Sequence, residues 1–325
     1  MSASMSDLSR RALLGALGVA LVTPALHAQP ARPLTIVAPF PAGGSSDLLA
    51  RIVAERLGTL LGRTVLVENI SGAGGRIAAR GVEAAAPDGT RLLLGNTSVI
   101  ALTPLAFADA GYDPLRFVPV AGAADFAAGL ATGPMTRATT LAELTAWLRE
   151  NPVRANFGVP ALGSLPHLTG INYSRAIGVA LEVVPYRGGA PIAQDLLGGN
   201  LPVGIAAAAD FAAVHQGGQA RLLAVTGTVR APGLPDVPTF TEAGLPGFEA
   251  NAWTGFFAPP GTPDALVAPI ATAIRAILAD PAVRARLEQV ALIAAPSDGA
   301  TLRGWLDRDR AAFTPLLAAA GLLGR

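Results

Sequence analysis

Short apolar runs alternate with segments of helical period from residue 34 onward, and glycine and serine crowd the junctions. "LTIVAPF" (34–40) reads as a buried strand, and Leu48, Leu49, Ile52, Val53, Leu57, Leu60 and Leu61 then repeat at helical spacing. "TVLVEN" (64–69) is strand-like and precedes a helix from about Gly75 to Ala86; "PDGTRLLLGN" (87–96) is a turn and a strand. Such alternation builds βαβ units with right-handed crossovers and a mostly parallel sheet. The pattern restarts near Val118. Strands are expected in 117–125, 127–134, 155–164, 181–189, 220–227 and 253–263, and helices over Thr140–Arg149, from Leu165 and over Pro191–Leu197. Thr262 is expected to cap a C-terminal helix with Pro263 at its first position, Asp280-Pro281 to start another, and Leu302, Trp305 and Leu306 to mark the last. The fold class is α/β: two lobes of similar build, each a mostly parallel sheet flanked by helices, with the chain crossing between them. The expected boundaries are residues 29–125 for the first part of lobe 1, 126–249 for lobe 2, and 250–325 for the return to lobe 1.

Residues 1–28 are set aside from the fold. Arg10-Arg11, the apolar run Ala12–Val22 and small residues near Ala25 and Ala28 have the layout of a secretory signal peptide. The run is too short to span a bilayer, and periplasmic export is the expectation. The chain carries 24 basic and 23 acidic residues. Removing Asp7, Arg10 and Arg11 with the leader leaves 22 of each, so no basic surplus marks a nucleic-acid partner.

Absent residue types narrow the chemistry. There is no cysteine and no lysine, which excludes a thiol nucleophile, a thiolate metal site, a Schiff base and a P-loop lysine. Of three histidines, only His167 and His215 follow the leader, too few for a multi-histidine metal centre. No cofactor and no metal are expected. "SGAGGRIAA" (71–79) approaches a dinucleotide fingerprint but has Ile77 at the third glycine position. Ser164 and His167 lie one helical turn apart, yet no G-x-S-x-G elbow or orienting acid accompanies them. An exported serine hydrolase is therefore a remote alternative.

The junctions "PAGGSSD", "SGAGG", "NTSV", "LGSLPH" and "YRGGAP" each place Gly, Ser or Thr before a helical pattern. A helix N-terminus offers unpaired N–H groups and partial positive charge, and glycine lets a ligand approach the backbone. Gathered at the carboxyl ends of strands, such loops can bind an anion without a charged side chain. Each is also an ordinary turn or cap. Asp47, in a first helical turn, either stabilises its helix or meets an amino group of a ligand. Arg187 either pairs with a ligand carboxylate or lies solvated.

The ordered stretches "PFPAGGSSDLLARIVAERL", "VLVENISGAGGRIAA", "APDGTRLLLGN", "VPYRGGAPIAQDLLGG", "LPDVPTFTEAGLPGFEANAWTGFFAPPGTP" and "DPAVRARL" cover nearly the whole chain after the leader. In them the chain resembles the Bug family, the periplasmic substrate-binding proteins of tripartite tricarboxylate transporters. The resemblance implies a two-lobed Venus-flytrap fold that captures a small carboxylated molecule and delivers it to membrane components of such a transporter, as a monomer and without catalysis. A sensor that presents the acid to a membrane receptor would share these features. The implied ligand-binding positions are the loop Phe40, Pro41, Ala42, Gly43, Gly44, Ser45, Ser46 and Asp47; then Thr97 and Ser98; Gly163, Ser164 and His167; and Tyr186, Arg187, Gly188, Gly189 and Ala190.

Two departures from the family pattern fall in lobe 2. "GVPALGS" (158–164) stands where a glycine- and serine-rich run is common, and "NLPVGIAAAAD" (200–210) where a polar run carrying aspartates is usual. With Ala206–Ala209 offering no side-chain donors, the expected ligand has a less polar far end than a dicarboxylate.

Overall fold

The structure, a computed structural model, describes residues 32–325; the leader expected at 1–28 lies outside them. Two sheets organise the chain. The first contains β1 (Leu34–Ala38), β2 (Val65–Asn69), β3 (Arg91–Asn96), β4 (Val118–Phe126), β10 (Ala252–Ala258) and β11 (Ile293–Asp298), in the order β11-β4-β10-β3-β1-β2. The second contains β5 (Ala128–Thr132), β6 (Asn156–Val159), β7 (Glu182–Pro185), β8 (Val203–Ala207) and β9 (Arg221–Val225), in the order β7-β6-β8-β5-β9. The chain passes between the sheets at Ala127 and again between β9 and β10, so the molecule is two-lobed.

Helices α1 (Ser45–Leu61), α2 (Arg76–Glu83), α3 (Thr103–Ala106), α8 (Asp264–Ala279), α9 (Pro281–Gln289) and α10 (Gly299–Ala319) belong to the first sheet's lobe. Helices α4 (Leu141–Glu150), α5 (Leu165–Ile177), α6 (Gly189–Leu197) and α7 (Ala208–Gln216) belong to the second. Four of the seven periodic apolar residues of α1 sit in the core, and Leu60 is exposed. Leu49, Ile52, Val53 and Leu57 of α1 are buried against the first sheet, and Gly62 ends the helix at φ 61°. The second sheet is covered on both faces. Ile192, Leu196 and Phe211 pack on one side, and Leu144, Phe157, Tyr173 and Phe240 on the other. Burial on both faces explains why β8 reads as an unbroken apolar run.

The sheets are mixed rather than mostly parallel. β1 is parallel to β2 and β3, and β6 to β7 and β8, as the βαβ pattern requires. The other pairings, β10 with β3 and β4, β11 with β4, and β5 with β8 and β9, are antiparallel. The cause is the crossing itself: β4 runs directly into β5 and β10 returns from the other lobe, with no helix at either crossing to restore direction.

Local details also differ from expectation. Thr262 does not cap α8; its hydroxyl donates to the Pro259 carbonyl at 2.8 Å, and Pro263 takes the cap position. The expected helix to Ala86 stops at Glu83, because Pro87 disfavours helical geometry in the residue before it. Asp280 does cap α9, accepting from the Ala282 amide at 2.8 Å. Strand β8, helix α7 and strand β11 had no counterpart in the sequence reading.

Candidate binding cleft

Each of β1, β6, β7 and β8 is followed by a helix, so α1, α5, α6 and α7 all begin at the carboxyl ends of their strands. Those ends face each other across the two lobes. The N-termini meet around one cavity of about 40 Å³ open to water centres, whereas one ordered water needs only roughly 10–15 Å³. The first lobe contributes Phe40, Pro41, Gly44, Ser45, Ser46, Leu49, Asn96, Ser98 and Thr254. The second contributes Pro160, Ala161, Ser164, Pro166, Gly189, Ala190, Ala207 and Asp210, with Phe126 and Leu292 closing the remainder. Four helix N-termini create a strong local preference for negative charge.

The lobes touch around this cavity. The Ser45 amide, at the start of α1, donates to Asp210 Oδ1 of α7 at 2.7 Å. The Leu165 amide, at the start of α5, donates to Ser98 Oγ at 3.3 Å. Gly188, at φ 144°, lies so close to Pro41 that a Cβ there would approach the proline ring to 2.7 Å.

The expected site residues divide into two groups. Phe40, Pro41, Gly44, Ser45, Ser46, Ser98, Ser164, Gly189 and Ala190 line the cavity. Ala42, Gly43, Asp47, Thr97, Gly163, His167, Tyr186, Arg187 and Gly188 stand behind or beside it. Their roles are mostly visible. Asp47 Oδ2 accepts from the Gly43 amide at 2.9 Å and from Arg51 Nε at 3.0 Å. Burial works to raise the Asp47 pKa, but the Arg51 guanidinium and the Gly43 amide prevail and hold it below the usual carboxylate value. Asp47 therefore braces the loop from behind. Thr97 Oγ1 accepts from the Trp253 amide at 2.8 Å, tying the end of β3 to β10. Tyr186 donates to Asp195 at 2.6 Å, and Arg187 is exposed.

His167 is buried, and its Nδ1 accepts from the Gly163 amide at 3.0 Å. Burial, aided by the Arg325 charge, lowers its pKa to about 4, so the ring is neutral near pH 7. Ser164 caps α5. Its hydroxyl donates to the Ala161 carbonyl at 2.7 Å and accepts from the His167 amide at 3.3 Å. That hydroxyl gives its proton to the Ala161 carbonyl and Nδ1 is taken by the Gly163 amide, so the pair forms no nucleophile–base couple. At α1 the cap is Gly44, which has no side chain to offer; Ser45 and Ser46 are helical residues facing the cavity, not caps.

Asp210 is the residue that the sequence reading passed over. The residue is half-buried, with its carboxyl end enclosed, and it is the one ionisable side chain on the cavity wall. Its Oδ2 rests on Gly189, where an added Cβ would sit 2.1 Å away. Burial is the largest influence on this carboxyl and raises its pKa; the Ser45 amide and hydroxyl and the Ala207 amide oppose that rise without overcoming it. The available signal was the aspartate that ends "AAAAD", the third residue of α7, where a helix follows a strand. The run of alanines hid the change from one to the other.

Residues 49–302 match the family described as the tripartite tricarboxylate transporter family receptor. A relative from Pseudomonas sp. strain P51, a UPF0065 protein of the tcbD-tcbE intergenic region, is 34% identical over 295 residues, 89% of this chain and 88% of that one. Among solved structures, the periplasmic binding protein BugD superposes with a TM-score of 0.86 at 32% identity, covering 91% of this chain and 100% of its own. The R. palustris protein Rpa4515 with adipate superposes at 0.87 and 32% identity, covering 91% and 99%. Family and fold are those of solute-binding proteins, which carry out no catalysis. The chain thus belongs to the tripartite tricarboxylate transporter receptor family, and it is a Bug-type solute-binding protein.

Proposed function

We propose that the interlobe cavity captures a small carboxylated organic molecule and that the loaded protein delivers it, in the periplasm, to the membrane components of a tripartite tricarboxylate transporter. The observation that carries this reading is the meeting of four helix N-termini on a cavity whose wall holds no arginine and no histidine. Main-chain amides and hydroxyls then supply the attraction for an anion. Ser45, Ser46, Ser98 and Ser164 offer hydroxyls, and Gly44, Gly189 and Ala190 leave the backbone bare. Adipate in the R. palustris relative is a ligand of this class. Residues 1–28 serve as the export signal; of the described residues, those up to Phe126 and those from Ala252 form one lobe against the stretch between, one residue later at the first crossing than expected.

A thermal-shift screen of organic acids tests the reading. Ligand bound at about a hundred times its Kd stabilises the fold by about 2.7 kcal/mol, which raises the melting temperature by several degrees. If every carboxylated compound leaves the melting temperature unchanged, this cavity is not an acid-binding site.

A further inference from the structure

We propose that Asp210 reads the ligand, and that this cavity prefers an acid carrying a protonated amine over a dicarboxylate of the same length. The inference deepens the reading of the cleft as a carboxylate site and rests on it. Asp210 is placed as a recognition group. Helix α7 carries it to the cavity wall, Oδ1 is fixed by the Ser45 amide of the opposite lobe at 2.7 Å, and the bare backbone of Gly189 gives Oδ2 its room. A carboxylate can accept about four hydrogen bonds; the Ser45 amide and hydroxyl and the Ala207 amide supply up to three, which leaves room for one from a ligand.

Charge accounting sets the ligand class. The wall contains no cationic side chain that could neutralise Asp210. A dicarboxylate closed into this space would set its second carboxylate beside the Asp210 carboxyl, and like charges at such distances disfavour one another's ionised forms, whereas an ammonium favours the ionised form of Asp210. A ligand with one carboxylate and one ammonium brings no net charge. Its carboxylate can take the amides at the helix N-termini, and its ammonium can donate to Asp210, a charge-assisted hydrogen bond stronger than a neutral one. The apolar surfaces of Pro160, Ala161 and Ala207 suit the methylene chain between the two groups. This departs from the less polar far end expected from "GVPALGS" and the alanine run: the stretch between the end groups is apolar, but the far end itself is charged, because Asp210 stands there.

The test is calorimetry on matched pairs of equal methylene count: β-alanine against succinate, 4-aminobutyrate against glutarate, and 5-aminopentanoate against adipate. In the best-binding pair the amino acid is expected to bind the wild-type protein at least tenfold more tightly. Asp210→Asn keeps an acceptor for the Ser45 amide and removes the charge. It should cost the amino acid at least tenfold in affinity while leaving the dicarboxylate equal or tighter. Dicarboxylates that match or outbind their partners in the wild type overturn the proposal and leave the acid-binding site standing. A preference that survives in Asp210→Asn also overturns it. If no compound of either class binds and the wider acid screen is equally blank, the underlying reading falls with it. The wild-type comparison needs no variant and decides the matter even if Asp210→Asn folds poorly.

Discussion

The two walls of the cleft are built from the same device and do different work. On the first lobe, α1 presents Gly44, Ser45 and Ser46, and Asn96, Ser98 and Thr254 stand alongside. This wall is neutral and hydroxyl-rich, its backbone loop braced from behind by Asp47 and Arg51. On the second lobe, α5, α6 and α7 present Pro160, Ala161, Pro166, Gly189, Ala190 and Ala207, an apolar surface broken by Ser164 and Asp210. The first wall can attract any small anion. The second holds Asp210, the one ionisable side chain on the wall, to which the proposal above assigns the choice of ligand. On the proposed reading, capture of the carboxylate falls to the first wall and choice of its partner group to the second.

That division is most sharply tested with glycines. Gly81, exposed in α2, has nothing within 4 Å of an added Cβ. Gly81→Ala should therefore stabilise by up to about 1 kcal/mol through helix propensity. Gly189, in the first turn of α6, would put its Cβ 2.1 Å from Asp210 Oδ2 and 2.2 Å from its carboxyl carbon. Gly189→Ala should reverse the sign, costing about 1–3 kcal/mol by overpacking, and weaken acid binding by at least about tenfold, or about 1.4 kcal/mol. Urea unfolding and calorimetry on both variants read the difference. A Gly189→Ala protein as stable as Gly81→Ala would show that Asp210 is not held where the second wall requires it.

Legibility followed the same line. The first wall was readable because a backbone that must bind through its amides is written in Gly and Ser, and "PAGGSSD" displays that requirement in consecutive letters. The βαβ units were readable from period alone. The second wall was not. Asp210 gains its role from tertiary placement, 165 residues from its Ser45 partner, and no local pattern encodes such a meeting. Helix α7 is built largely of alanine, so its apolar face has little contrast with its surface. The mixed sheets escaped for a related reason: strand direction after Ala127 depends on where the chain crosses, not on the residues of the strand. Gly43, Thr97 and His167 drew notice through residue type, and they support the cleft from one layer behind.

Acid should expose the second wall before the first. Both histidines among the described residues, His167 and His215, lie in the second lobe. His167 is 2% exposed, with its pKa lowered from 6.5 to about 4. The unfolded chain takes up a proton below pH 6.5 that the folded chain refuses until about pH 4. The stability held by neutral His167 is therefore complete above pH 6.5 and drains as pH falls toward 4, by on the order of 3 kcal/mol in all. His167→Gln retains an acceptor for the Gly163 amide and cannot titrate. Stability measured by urea from pH 7 to 4 should fall less steeply in the variant, and identical slopes would place the acid response elsewhere.

The smallest expected effect isolates the bond that joins the walls. Ser45 is the first residue of α1, a position where proline is well tolerated because the N–H has no partner within the helix. Gly44, at φ −83° and ψ 171°, already has the extended geometry that a residue before proline adopts. Ser45→Pro should therefore leave α1 intact and delete both the amide and the hydroxyl through which Ser45 meets Asp210 across the cleft. A hydrogen bond to a charged group contributes roughly 1.5–3 kcal/mol, and the stiffer unfolded chain returns roughly 0.4–1 kcal/mol. The net expectation is a loss of about 1 kcal/mol with unchanged helix content by circular dichroism. A gain of the size proline alone provides would mean that the Ser45–Asp210 contact adds no stability, and that the two lobes meet there only by proximity.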